Sequence, residues 1–91
     1  MANERCRVFY VGTVQGVGFR WRAVDAAHDI AVTGYVRNLV DGRVELVAEG
    51  ERADVERLLG AVRARMGDLI EKEDVLWARA SGEFRGFGVA R

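Results

Sequence analysis

The stretch Gly12-Thr13-Val14-Gln15-Gly16-Val17-Gly18-Phe19-Arg20 joins a strand-like run to a helix-like run, and its reading sets the rest of the chain. Before it, Arg5 to Gly12 is rich in β-branched and aromatic residues, with Cys6, Val8 and Tyr10 on one face and Arg7, Phe9 and Val11 on the other. After it, from about Phe19 to Ala31, residues Ala23, Ala26, Ala27, Ile30 and Ala31 recur at helical spacing and form one apolar stripe. Its small alanines suit close packing against a sheet. The junction breaks two local rules. Gly18 and Phe19 stand where a capping Ser, Thr, Asp or Asn is expected, which leaves up to four backbone N–H groups without partners. Arg20 and Arg22 fall in the first helical turn, where the helix dipole disfavours cations by roughly 0.3–1 kcal/mol each. A bound anion resolves both conflicts, because it accepts the free N–H groups and neutralises Arg20.

Further along, Gly34 to Val40 reads as a second strand and Asp41-Gly42 as a hairpin turn. Arg43 to Glu49 alternates, with Val44, Leu46 and Ala48 inward and Arg43, Glu45 and Glu49 outward. A second helix runs from about Ala53 to Met66 on a stripe of Val55, Leu58, Leu59, Val62 and Met66, and Gly67 stops it. The acidic, lysine-interrupted segment with Asp68, Glu71, Glu73 and Asp74 reads as a solvated loop. A fourth strand follows from about Asp74 to Ala80, then a turn at Ser81-Gly82-Glu83 and a last strand from Phe84 to Ala90. The order β-α-β-β-α-β-β predicts an α+β, ferredoxin-like sandwich: a five-stranded sheet covered on one face by two helices, its other face partly wet.

Ninety-one residues fit one domain, residues 1–91. A hydrophobic share of 49% with 31% charged residues and no proline is a globular profile. Fourteen basic and fourteen acidic residues leave no cationic excess, which argues against a nucleic-acid binder. Cys6 and His28 are the only residues of their kinds, too few for a Cys/His metal site. No apolar run approaches the ~20 residues of a membrane span, and the first residues lack a signal-type apolar region. A cytoplasmic monomer without membrane or nucleic-acid partners is the expectation.

The glycine-rich loop is neither a nucleotide P-loop nor a dinucleotide fingerprint: Phe19-Arg20 follows Gly18 where Lys-Ser/Thr is needed, and Trp21 stands where a third glycine belongs. Gly16 and Gly18 can take positive φ and turn successive N–H groups inward as an anion nest. A plain tight turn accounts for the glycine spacing equally well; the missing cap and the misplaced Arg20 favour the anion site. Asn38 lies in a strand, where asparagine is depleted, and on its residues alone reads as the strand end before the Asp41-Gly42 turn in preference to a functional amide. Arg37 beside it points to the opposite sheet face. His28 sits two helical turns beyond Arg20, about 12 Å along the axis and too far to serve an anion at the helix start. Cys6, Trp21 and Trp77 read as packing residues.

Gly12-x-Val14-Gln15-Gly16-Val17-Gly18-Phe19-Arg20 resembles the signature of acylphosphatases, as does Gly34-Tyr35-Val36-Arg37-Asn38 followed by Asp41-Gly42-x-Val44-Glu45 and Gly50. The resemblance implies an α/β sandwich that hydrolyses acyl phosphates to carboxylate and inorganic phosphate without metal or organic cofactor. Carried onto this chain, it makes Arg20 and Asn38 the catalytic residues. Arg20 binds the phosphoryl group, Gln15, Gly16, Val17, Gly18 and Phe19 cradle it through backbone N–H groups, and Asn38 holds the attacking water. The chain departs from the family pattern at Tyr35, where tryptophan is common, at Ala31, where glycine is frequent, before the fourth strand, where a proline is missing, and at its aromatic-poor end from Phe87 to Arg91. The alternative reading is a non-catalytic acylphosphatase-like binding or regulatory domain. An RNA-binding sheet is disfavoured, because the outer face of the third strand offers Arg43, Glu45, Val47 and Glu49 in place of aromatics.

Overall fold

A computed structural model describes residues 2–91; Met1, the first residue of the expected domain, lies outside them. The elements are β1 (Glu4–Gly12), α1 (Phe19–Ala27), β2 (Thr33–Asn38), β3 (Val44–Gly50), α2 (Arg52–Met66), β4 (Ile70–Arg79) and β5 (Phe87–Val89), with a 3₁₀ turn at Gly67–Leu69. One sheet has the order β4-β1-β3-β2-β5. The β1–β3, β1–β4 and β2–β3 pairs are antiparallel, and β5 runs parallel to β2. The strand alternation puts Val8, Tyr10, Val36, Val44, Leu46 and Ala48 in one cluster with the stripes of both helices. Burying each larger aliphatic there contributes roughly 1.5–3 kcal/mol. An Asp25–Arg65 ion pair links α1 to α2. At Gly34 the strands run so close that a Cβ would lie 1.9 Å from the Val47 carbonyl oxygen, at φ +140°, so only glycine fits. The α+β sandwich is as expected.

Beyond shifts of one or two residues, such as β2 ending at Asn38 and not Val40, three differences from the sequence reading stand out. Helix α1 ends at Ala27, because His28 N–H bonds Asp25 O at 3.2 Å and Ile30 N–H bonds Ala27 O at 3.1 Å, tight turns that aim the chain into β2. Ala31 is consequently exposed. Asp68 lies exposed in the 3₁₀ turn, but from Ile70 the acidic segment is strand and not loop: Lys72, Glu73 and Asp74 pair with Val11, Tyr10 and Phe9, and the Arg63 guanidinium lies 2.8 Å from Glu73. Pairing with β1 overrides the local polarity, and charge suits an edge strand.

The third difference is the end of the chain. The last strand is only three residues long and lies at the far edge, beside β2. Residues 80–86 therefore cross the face opposite the helices as a strap. Glu49 anchors it, accepting from Ser81 N–H at 2.7 Å, Ser81 Oγ at 3.0 Å and Gly82 N–H at 2.9 Å, with Arg5 Nε at 2.7 Å. Phe84 meets the Tyr35 ring edge-on at 5.7 Å, and the Arg5 guanidinium lies 5.2 Å from the Phe84 ring centre. The outward carboxylates are thus not solvated: Glu45 is 4% and Glu49 3% exposed. Glu45 is held by Arg37 at 2.6 Å, Arg7 at 3.3 Å and the Tyr35 hydroxyl at 3.1 Å. Burial pushes the Glu49 carboxyl up, but the Ser81 N–H, Arg5, the Gly82 N–H and the Ser81 hydroxyl outweigh it and hold the group down at about 2. Among the described residues no helix is long and apolar enough to cross a membrane.

Candidate active site

The loop after β1 is built by two glycines in the left-handed region, Gly16 at φ +76° and Gly18 at φ +78°. A Cβ at Gly16 would meet nothing within 4 Å, and one at Gly18 only Arg22 Nε at 3.9 Å, so the requirement is conformational and not steric. Gly18 is the N-cap of α1, with no side-chain cap and no acidic residue in the first turn. Thr13 N–H reaches Leu69 O at 2.9 Å and Arg22 N–H reaches Gly18 O at 3.0 Å. Between them, the backbone N–H groups of residues 14–21 have no acceptor among the described residues.

The two misplaced arginines part company. Arg22 swings to the C-terminal turn of α2, where its Nη1 donates to Arg65 O at 3.4 Å, the end at which a cation is favoured. Arg20 stays half-buried. Of the five half-buried arginines, Arg5, Arg7, Arg37 and Arg43 each have a carboxylate, and Arg20 has none among the described residues. Arg20, Val24 and Ala27 share one flank of α1 by their i, i+4, i+7 spacing. That flank faces β2 and β5, since Val24 and Ala27 line a cavity with Val32 and Phe87.

Asn38 comes to the same end of the sheet. It is the last residue of β2 and pairs with Val44, which pairs in turn with Tyr10 near the end of β1. Directly paired side chains share a face. Val44 and Tyr10 are buried in the core under the helices, so Asn38 lies on the helix face, and Arg37 takes the other face as expected. The Asn38 amide is half-buried and bonds no protein group among the described residues. A direct tie joins loop and hairpin: Gln15 Nε2 donates to Leu39 O at 2.8 Å and to Arg43 O at 3.0 Å. Sequence reasoning gave Gln15 a main-chain role only; a side-chain amide among glycines was the one available signal.

The remaining expectations divide. Phe19 is buried with its ring centre 4.8 Å from that of Tyr10 and tilted 56° to it, so it can serve the site by its backbone alone. Trp21 is not a packing residue: it is 69% exposed, on the helical face of Asp25 and His28 and away from the buried stripe. Trp77 is partly buried beneath the Arg52 guanidinium, 3.9 Å from its ring centre. Burial pushes the Cys6 thiol up to about 11, which leaves no thiolate nucleophile at neutral pH. His28 is exposed at the far end of α1. Among the described residues no group of three or more His, Cys, Asp or Glu could hold a metal ion.

The family model described as Acylphosphatase matches residues 6–89. An acylphosphatase of Roseiflexus sp. (strain RS-1) is 46% identical, covering 98% of this chain and 97% of its own. One of Anaeromyxobacter sp. (strain Fw109-5) is 44% identical, covering 93% and 92%. The crystal structure of acylphosphatase from Bacillus subtilis superposes with a TM-score of 0.88 at 29% identity, over 97% of this chain and 99% of that one. With the family model spanning residues 6–89 and relatives matched along nearly their whole length, the chain belongs to the acylphosphatase family.

Proposed function

We propose that the protein hydrolyses acyl phosphates to carboxylate and inorganic phosphate by holding the phosphoryl group between the backbone N–H groups of Gln15, Gly16, Val17, Gly18 and Phe19 and the guanidinium of Arg20, with the attacking water on Asn38. Acyl phosphate hydrolysis comes with the family. The assignment of residues rests on one observation: among the described residues, the one half-buried arginine without a carboxylate stands at a helix start whose amides have no protein acceptor.

The chemistry asks little of the protein. A departing carboxylate has a conjugate-acid pKa of about 4, so it leaves without a general acid. What remains is charge and geometry. The phosphoryl transition state spreads negative charge over its equatorial oxygens. Arg20 presents two N–H donors in a fixed fork and the loop amides supply more, in a half-buried setting that strengthens each bond. The Asn38 amide can accept one hydrogen bond from a water and donate another, orienting it without removing its proton. The proton goes to a phosphate oxygen of the substrate. Release of phosphate from benzoyl phosphate, with a chelator present, tests the reading. Turnover that depends on Arg20 and Asn38 supports it. A folded protein that binds phosphate without turnover would make it a binding module.

A further inference from the structure

The Gln15 side chain does work that the proposed chemistry leaves unassigned. Its amide nitrogen carries two N–H donors, and both are used, one on Leu39 O at 2.8 Å and one on Arg43 O at 3.0 Å. Carbonyl oxygens only accept, so the nitrogen and not the oxygen must face them. These two carbonyls bracket the β2–β3 turn, which is closed by Leu39 N–H to Arg43 O at 2.8 Å and Gly42 N–H to Leu39 O at 3.1 Å. Leu39 directly follows Asn38, and Arg43 directly precedes Val44, its ladder partner. The site is assembled from two segments that share no strand pairing: the loop on β1–α1 and the end of β2, which β3 separates in the sheet.

From this we infer that Gln15 is a positioning residue, setting where Asn38 stands relative to the phosphate cradle. The inference rests on the roles given above to Arg20 and Asn38. Loss of the clamp leaves the Arg20 cradle intact, because that is made within one loop and one helix turn. It frees the hairpin mouth, so the water is misaligned while phosphate still binds. A misplacement of ~1 Å is enough to cost about a hundredfold in rate.

A double-mutant cycle tests this. Gln15→Leu, and Gln15→Met as a straight-chain second variant, remove both donors. Each is expected to lower kcat for benzoyl phosphate about tenfold or more, with the inhibition constant of inorganic phosphate changed less than about threefold. In an Asn38→Ala background, Gln15→Met should cost less than about twofold further, because the residue it positions is gone. Gln15→Glu, which turns two donors into charged acceptors facing carbonyls, should be worse than either. A full-sized Gln15 effect without the Asn38 side chain, or an equal loss of phosphate binding, would overturn the inference. Retention of kcat by Asn38→Ala alone would instead overturn the role given to Asn38, and so separates the two failures.

Discussion

A half-buried guanidinium has lost part of its water and needs an acceptor. Arg5, Arg37 and Arg43 hydrogen-bond one within the protein, Arg7 has a carboxylate 3.3 Å away, and Arg20 has neither among the described residues. On the proposed mechanism, stability and activity therefore pull in opposite directions at Arg20. Arg20→Ala should reduce kcat/KM at least about a hundredfold, the typical worth of one such donor. The same change removes a cation from a helix N-terminus, so the unfolding free energy read from urea denaturation should hold or rise slightly, by roughly 0.3–1 kcal/mol. Unfolding of the variant would mark Arg20 as structural. Arg20→Lys keeps the charge without the fork and should fall between the two. Asn38→Ala should lower kcat strongly with little change in KM; an effect on KM alone would remove the water from Asn38. Neither residue gives or takes a proton in the proposed step, so kcat should be level from about pH 5 to pH 8 apart from the substrate's own ionisation. A pH–rate curve governed by an enzyme group near pH 6–7 would bring His28 into the mechanism and contradict this account.

At the scale of elements, the loop is held open by backbone conformation. Gly18→Ala places a Cβ on a residue at φ +78°, at a cost on the order of 1–2 kcal/mol. It should weaken inhibition by phosphate as well as stability, because strain relief turns the amides away. Gly42→Ala, at φ +96° in the hairpin turn and equally free of neighbours, is the control: it should lower the melting temperature without touching phosphate affinity. Helix stripes and the hairpin were legible because periodicity and turn chemistry are local. So was the uncapped start of α1, because a helix without a capping side chain and with a cation in its first turn is an anomaly within four residues. The start of β4, the short β5 and the Gln15 clamp were not. Each is decided by a partner far along the chain, β1 for the acidic strand, β2 for β5, Leu39 and Arg43 for Gln15. Asn38 was legible only halfway: a strand-end amide has the same sequence whether or not a loop closes over it.

For the whole molecule, the strap across the face opposite the helices makes stability depend on one carboxylate. The Glu49 carboxyl sits at about 2 in the folded protein against an ordinary 4.5. Its contribution is complete above the ordinary value and is lost as pH falls from about 5 toward 2. Glu49→Gln should therefore be less stable than the parent at pH 7, on the order of 2–3 kcal/mol, with the gap narrowing toward pH 3. Urea midpoints of the two proteins across that range measure it; a constant gap would mean that packing of the strap, not its charge, is what Glu49 supplies. Both carboxylates of this face are satisfied by groups from several strands, so the face specifies sheet order as well as stability.

The parallel pairing of β5 with β2 has a temporal consequence. Synthesis runs from the N-terminus, so the strand that carries Asn38 is made in the first half of translation and waits for its outer neighbour until Phe87–Val89 has emerged. The last rung of that pairing is a single bond from Ala90 N–H to Val36 O, at 2.9 Å, two residues below Asn38. A nascent chain stalled before residue 87 would already own every group of the proposed catalytic centre, and yet display the edge of β2 as a bare template to whatever strand passes by.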